Sequence, residues 1–395
     1  MKKKLLYGLM GLLFVLSLAG FAACSDGDSG GHGGGSDDDG DGTVTTTETT
    51  ENEDGTTTTT TTTTNTDGSS TSTATTTDED GNVTSTVTTE TSADGSSSST
   101  TTDSDGTVSN TTTTDSSGNE TSTDYTYDED GNTTSSSTTL TNSDGEEVAT
   151  VEKTVSEDKT ITAEISWAAD SAVEIIPKSE LVDAKTVTIH VDKVEGMTWN
   201  TMCSASDWSN QVPGFFTQVM YWDSDTSALA LDEDCEDVEI SAATLITYQT
   251  YLDNGVYLGG PEGASLTITY TVGYTDPDAP YTITLDQSLS TSAPVQILSA
   301  DDVKSYSEVQ IVFNQTSTEN EEKLYLCTGD STDDMVVTFG SAYDPYVYFI
   351  IYDEYTKENF GAGSWYDDVT LSTFEDGDLY LYTNTSGTTY SIGVK

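Results

Sequence analysis

Side-chain catalysis of the triad kind needs a folded histidine, and this chain offers one. His190 lies in the alternating run 186–191 on the same side as Thr188 and Asp192, the position of a solvated strand residue, while His32 sits among Gly, Ser and Asp. Without a second folded imidazole, neither a serine or cysteine triad nor a histidine zinc site can be assembled. Carboxylate pairs are plentiful: Asp223 with Asp225, the run Asp232-Glu233-Asp234, Asp333 with Asp334, and Asp367 with Asp368. Glycoside hydrolysis needs only two carboxyls, so residue types alone leave it open. Two small β domains with no larger cleft-bearing domain argue against it, and the expectation is a protein that is not an enzyme. Asp232, Glu233 and Asp234 are the weak candidates for a structural calcium ion steadying a loop, and no other metal or cofactor is expected.

Aromatic side chains are the better lead. Trp199 in Met197-Thr-Trp-Asn200 and Trp208 in Ser206-Asp-Trp-Ser209 occupy loop-like settings, as does Trp365 beside Tyr366. Large rings offer flat apolar faces to sugars and also anchor protein interfaces. The expected ligand-binding set is Trp199, Asn200, Asp207, Trp208, Trp365 and Tyr366, with Asn200 and Asp207 as hydrogen-bonding partners. Trp167 and Trp222 lie in strand-like runs and are expected in the core.

The elements that must hold these rings are strands. From Val151 the apolar residues alternate with polar ones (Val151, Val155, Ile161, Ala163, Ile165), the period of a half-buried strand. Further strands are expected at 172–176, 186–191, 215–222, 238–240 and 265–274; the last, Leu266-Thr-Ile-Thr-Tyr-Thr-Val272, is the cleanest alternation in the chain. Residues 241–254 read as a short helix, with Ser241 as N-cap and Gly255 after its end. Asp276-Pro-Asp-Ala-Pro280 is a linker, because neither proline can donate into a ladder. A second strand set follows at 281–285, 309–313, 323–327, 336–339, 346–352, 369–371, 379–382 and 390–394. The fold class expected is all-β, with two antiparallel sandwiches at 151–275 and 281–395 joined by residues 276–280.

The first sandwich holds Ile165-Ser-Trp167, Val173-Glu-Ile-Ile-Pro177 with Leu181, Val187-Thr-Ile189 followed by Trp199, Val238-Glu-Ile240, and Gly255-Val-Tyr-Leu-Gly-Gly260. In the order of these features, over about 110 residues, it resembles the carbohydrate-binding-module-like jelly rolls of bacterial surface lipoproteins. It implies non-catalytic binding of a polysaccharide. An adhesion protein that grips another surface protein through the same rings, and a structural surface component without a small ligand, are the alternatives.

Before the sandwiches the composition is different. Residues 25–152 hold no Lys or Arg and 28 acidic residues, leaving 69 − 28 = 41 acids against 12 − 3 = 9 lysines for 153–395, and the net charge is −57. Such a chain repels phosphate backbones, so nucleic acid is excluded as a partner. Residues 24–42 form an acidic Gly/Ser tether. Residues 43–150 form a low-complexity stalk of Thr and Ser broken by Asp54-Gly55, Asp67-Gly68, Asp80-Gly81, Asp94-Gly95, Asp105-Gly106, Ser117-Gly118, Asp130-Gly131 and Asp144-Gly145, in steps of 13, 13, 14, 11, 12, 13 and 14 residues. Asp-Gly supplies the positive φ of a tight turn, and Thr tolerates extended backbone. Each unit is a strand of about ten residues at most, returning at its glycine. The unit Tyr125-Thr-Tyr-Asp128 with Gly131 resembles a degenerate tyrosine-aspartate (YD) repeat. Apolar bulk is scarce here, so the stalk is either disordered with fluctuating hairpins or an ordered polar β array, with the entropy of about 1–2 kcal/mol per residue favouring disorder.

Cys203, Cys235 and Cys327 lie in the folded part, and Cys203 with Cys235 is the disulfide pair the domain layout allows. The start of the chain settles the compartment. Lys2, Lys3 and Lys4 precede an apolar run to Ala22-Ala23-Cys24, the layout of a secretory signal in residues 1–23. Cysteine at the cut resembles the lipobox of bacterial lipoproteins, with Phe21 where that pattern usually has Leu, Val or Ile. The resemblance implies lipidation of Cys24 with palmitate-type chains, a membrane partner through that lipid, and a place in the cell envelope. Asp26 and Asp28 resemble the export signals of surface lipoproteins and point to the outer membrane, facing outward.

Overall fold

The computed structural model describes residues 43–232, 237–314, 324–339, 346–358, 365–375 and 377–395. The signal sequence, Cys24 and the tether lie outside the described residues, as do Glu233, Asp234 and Cys235.

The Thr-rich segment folds as an antiparallel meander: β1 (Val44–Glu51), β2 (Thr57–Thr64), β3 (Ser70–Thr77), β4 (Val83–Thr91), β5 (Ser97–Asp103), β6 (Val108–Thr114), β7 (Glu120–Tyr127) and β8 (Thr133–Thr141). It continues without a break into β9 (Glu147–Val155) and β10 (Ile161–Trp167). Nine turns with one hydrogen-bond pattern build it. In each, the first residue's N–H donates to the carbonyl four residues on, and its carbonyl accepts from the residue three on; the heads are Asn52, Asn65, Asp78, Ser92, Asp103, Asp115, Asp128, Asn142 and Ser156. The residue three on has positive φ, a conformation glycine enters without a Cβ penalty, and it is Gly in the first eight turns. In the ninth it is Lys159, at φ 69°. The repeat therefore runs one unit further than the Asp-Gly spacing indicates, into the first sandwich.

The disordered reading of the stalk gives way to the ordered one in this structure. What holds the array is its ladder of backbone hydrogen bonds together with cross-strand hydroxyl contacts, such as Thr47–Thr61 at 3.2 Å and Thr123–Thr138 at 2.9 Å. One cross-strand row reads Thr47, Thr61, Thr73, Thr88, Thr100, Thr111, Thr123, Thr138, then Val151, Ile165 and Leu266. A single face is thus hydroxylated over eight strands and becomes a sandwich core where the side chains turn apolar; Val151 is wholly buried.

The first sandwich closes this face with a second sheet. After β11 (Ser171–Ile176) come β12 (Thr186–Glu195), β13 (Thr201–Cys203), β14 (Val212–Pro213), β15 (Met220–Asp223), β16 (Ala228–Leu231), β17 (Val238–Ser241), α1 (Tyr248–Asn254), β18 (Val256–Gly260) and β19 (Ser265–Gly273). β19, β12 and β17 complete a 13-stranded sheet beside β10, and β11-β18-β13-β14 forms the four-stranded sheet packed on it. Two expectations are corrected here. Residues 215–222 are not one strand: Phe215–Gln218 is a 3-10 turn and only β15 is extended. The helix starts at Tyr248 with Thr247 as its N-cap, while Ser241 caps an earlier turn through Ala243 N–H.

The remaining elements are β20 (Thr282–Ser288), β21 (Val295–Leu298), α2 (Ala300–Val303), β22 (Glu308–Asn314), β23 (Leu324–Cys327), β24 (Met335–Phe339), β25 (Tyr346–Tyr352), β26 (Thr356–Glu358), β27 (Trp365–Tyr366), α3 (Leu371–Glu375), β28 (Leu379–Thr383) and β29 (Thr389–Val394). They form a six-stranded sheet, β20-β29-β22-β25-β26-β27, and a four-stranded sheet, β21-β28-β23-β24. The expected strand at 369–371 is replaced by the start of α3. Residues 276–280 do not leave the halves apart. Tyr281, Val312, Tyr348 and Ile350 belong to the first sandwich's hydrophobic cluster, and the wholly buried Gln310 accepts from Ile246 N–H at 2.8 Å and donates to the Thr244 carbonyl at 3.2 Å.

Candidate functional site

The 13-stranded sheet is wider than the sheet that covers it, and the step between them is a cleft of about 550 Å³. Its floor is the hydroxylated face of β6, β7 and β8, where Thr111, Thr123, Tyr125, Ser136 and Thr138 point up; its wall is the edge strand β11 with Ala172 and Glu174. Trp208 and Tyr257 also line it. The sequence explains why the floor is open. Beyond β9 the residues on this face are chiefly Thr and Ser, with Tyr125 and with Leu140 packed at the edge of the core, so no second layer is needed to shield most of them from water.

Trp208 is positioned by a compact loop. Its backbone takes φ 66°, Asp207 Oδ1 accepts from Ser209 N–H at 3.0 Å, and Asn210 Nδ2 donates to Ser204 Oγ at 2.7 Å. The indole lies across Gly259 of β18, where an added Cβ would come within 2.3 Å of Trp208 Cζ3. Gly260, facing the other way, admits Trp167 in the same manner; a Cβ there would meet that indole at 2.7 Å. The Gly259-Gly260 pair therefore seats one tryptophan in the core and one at the surface, as strand alternation requires.

Charge at the cleft is organised around Lys153, which is 9% exposed and pairs with Glu180 at 3.1 Å. Glu180 also accepts from Tyr270 O–H at 2.8 Å, and Lys153 Nζ stands 5.7 Å from the Tyr270 ring centroid. Glu174 sits directly across the β11–β18 ladder from Tyr257. Burial raises the Glu174 carboxyl above its ordinary range, and the Tyr257 hydroxyl and the Lys153 charge offset part of this. The cleft thus offers three rings in Trp208, Tyr257 and Tyr125, many hydroxyls, and more carboxylate than free cation.

Of the residues singled out from sequence, Trp199 and Trp208 are brought together, with ring centroids 5.7 Å apart and planes at 52°. Asn200 is buried and structural: its Oδ1 accepts from Phe216 N–H at 3.0 Å and its Nδ2 has no hydrogen-bond partner. Asp207 is exposed and holds its own turn. Trp365 and Tyr366 lie on β27 of the second sandwich, in a separate aromatic group: Tyr352 to Tyr355 at 4.9 Å, Tyr355 to Trp365 at 4.8 Å, and Lys357 Nζ 5.0 Å from the Trp365 centroid. Tyr366 O–H donates to Glu358 at 2.9 Å. Trp222, expected in the core, is 51% exposed beside the exposed Tyr221 on the β15–β16 hairpin. That hairpin is a two-stranded sheet of its own, and alternation within it does not report on the main core.

Glu174, Tyr257 and Lys153 were missed as site residues. The available signal was polar side chains at single positions inside apolar runs, Glu174 between Val173 and Ile175 above all. Cys203 and Cys327 are buried free thiols; burial pushes them up to about 12 and about 11, so both are unreactive. The Cys203–Cys235 pairing falls partly outside the described residues. Among the described residues no group of three or more His, Cys, Asp or Glu is placed to hold a metal ion, and Glu233 and Asp234 of the calcium triplet lie outside them. No helix among the described residues is long and apolar enough to cross a membrane. No family model and no curated protein matches this chain.

Proposed function

We propose that this is a non-catalytic glycan-binding protein of the bacterial cell envelope, anchored by a lipid on Cys24 and facing outward from the outer membrane, with the cleft between the hydroxylated sheet and β11 as its binding site. The observation that carries the reading is that Trp208, Tyr257 and Tyr125 line one cleft together with Thr and Ser hydroxyls. Sugar rings present axial C–H groups to aromatic faces and hydroxyls to polar neighbours, and this cleft supplies both kinds of surface. Lys153 is already paired, while Glu174, Glu180 and Asp170 line the same space, so neutral glycans are favoured and polyuronates are repelled.

A glycan array probed with the full chain tests this. Binding to neutral glycans that falls tenfold or more in Trp208→Ala supports the reading; binding unchanged in that variant, or none at all, removes it. Palmitate labelling of wild type against Cys24→Ser tests the anchor, and equal labelling would refute it. A second reading, adhesion to another surface protein, is favoured by the exposed Tyr221 and Trp222 pair, which lies on a different element from the cleft.

A further inference from the structure

We propose that β1 is a self-association edge: it pairs antiparallel with β1 of a second copy, joining two 13-stranded sheets into one. The other sheet edges among the described residues are short or broken. β14 is two residues and contains Pro213, β27 is two residues, and β17 is four with Ser241 N–H donating to Thr244 Oγ1. β20 has a register shift beside Asp286 at φ 53°, and β21 and β24 carry register shifts of their own. β1 alone runs eight residues in unbroken register, all exposed, with no Pro, no Lys and no bulge to blunt it.

The direction of its free groups follows from the first turn. Asn52 N–H donates to the Thr56 carbonyl at 2.8 Å, and in an antiparallel ladder the bonding direction alternates residue by residue. Val44, Thr46, Glu48 and Thr50 therefore bond to β2, and Thr45, Thr47, Thr49 and Glu51 aim N–H and C=O away from it. Close hydroxyl contacts at Thr45–Thr63, Thr47–Thr61 and Thr49–Thr59 agree, because side chains approach most closely at the non-hydrogen-bonded pairs.

A second copy fits this edge because each strand from β1 to β8 already pairs with a near-copy of itself through the same Thr-on-Thr chemistry. Charge selects the register. Centring the pair on Glu48 would oppose two carboxylates at the closest separation, which is destabilising. Centring it on Thr47 places Thr45 opposite the partner's Thr49 and Glu48 opposite the partner's Thr46, so Thr45, Thr47 and Thr49 all pair within the strand and Glu51 alone falls opposite a residue outside it, Thr43.

Sedimentation of the full chain in mild detergent, at physiological ionic strength, reads this directly. Wild type is expected to dimerise, and Thr47→Pro/Thr49→Pro, which removes two outward N–H groups and none from the β2 ladder, is expected to weaken dimerisation at least tenfold with unchanged far-UV circular dichroism. Thr47→Cys is expected to cross-link to itself with a short bis-alkylating reagent while Thr50→Cys does not, which tests the register without relying on the proline variant. A monomer at every concentration, an equally tight dimer in the double variant, or exchange protection of Thr45, Thr47 and Thr49 that is independent of dilution, as when residues of the same chain cover the edge, would each overturn the proposal.

Discussion

The indole of Trp208 rests on the bare Cα of Gly259, closer than any side-chain-bearing residue at that position would permit. The glycine thus shapes the proposed binding surface although it has no functional group. Gly259→Ala is expected to lift the ring from its seat and to weaken glycan binding about tenfold, roughly 1.4 kcal/mol, while far-UV circular dichroism stays unchanged. Calorimetric titration of wild type and variant with the same oligosaccharide checks this.

Glu174 links the site to stability. Its carboxyl binds protons more readily in the folded chain than in the unfolded one, chiefly because it is buried. Between the unfolded and the raised folded value the native state therefore holds more protons, so this group's contribution to stability falls as pH rises through that window. Glu174→Gln is expected to raise the urea midpoint at neutral pH and to match wild type once the pH is below the ordinary glutamate range. Denaturation curves at both pH values test it; equal midpoints at neutral pH would show that burial at Glu174 carries no cost.

The turns titrate in the opposite sense. Asp78 and Asp128 accept from the N–H groups two and four residues on, and Asp115 does the same, with side-chain bonds from Asn82, Asn132 and Asn119 as the largest cause; all three carboxyls lie below the ordinary aspartate value. Their stabilising effect is present above the unfolded value and is lost as pH falls through the folded one. The last stalk turn is built on Asn142, whose amide oxygen takes the same two N–H bonds at 3.0 and 2.9 Å and cannot be protonated in this range. Acidification through and below the ordinary aspartate range is expected to lower hydrogen-exchange protection factors around Asp78, Asp115 and Asp128 and to spare the Asn142 turn.

Much of this architecture was legible in the sequence, because strand period and Asp-Gly turn chemistry are local. The Thr-rich segment was harder. Counting apolar bulk led toward disorder, but an antiparallel ladder satisfies backbone groups whatever the side chains are, and Thr adds cross-strand hydroxyl contacts that hydrophobicity does not register. The cleft was hidden for a different reason. Tyr125, Lys153 and Glu174 meet only because β8 lies beside β9 while β11 crosses to the covering sheet, a tertiary fact with no trace in spacing. Trp222 shows the limit of alternation, since its period is right for a strand and its strand belongs to a hairpin outside the core.

Lys159 marks where the repeat was altered. It occupies the left-handed position that glycine fills in the eight preceding turns, at a conformational cost of about 1 kcal/mol for a side-chain-bearing residue. Lys159→Gly is expected to stabilise the first sandwich by up to that amount, read as a higher urea midpoint; a lower midpoint would mean that the side chain contributes more than its backbone costs.

The central claim is that the step between the hydroxylated sheet and β11 holds a neutral glycan against Trp208. Affinity electrophoresis of the full chain, in gels cast with a neutral soluble polysaccharide or with a polyuronate, measures it most directly. The account predicts retardation by the neutral polymer, none by the polyuronate, and loss of the retardation in Trp208→Ala. Equal mobility in every gel, or retardation that survives Trp208→Ala, would contradict it.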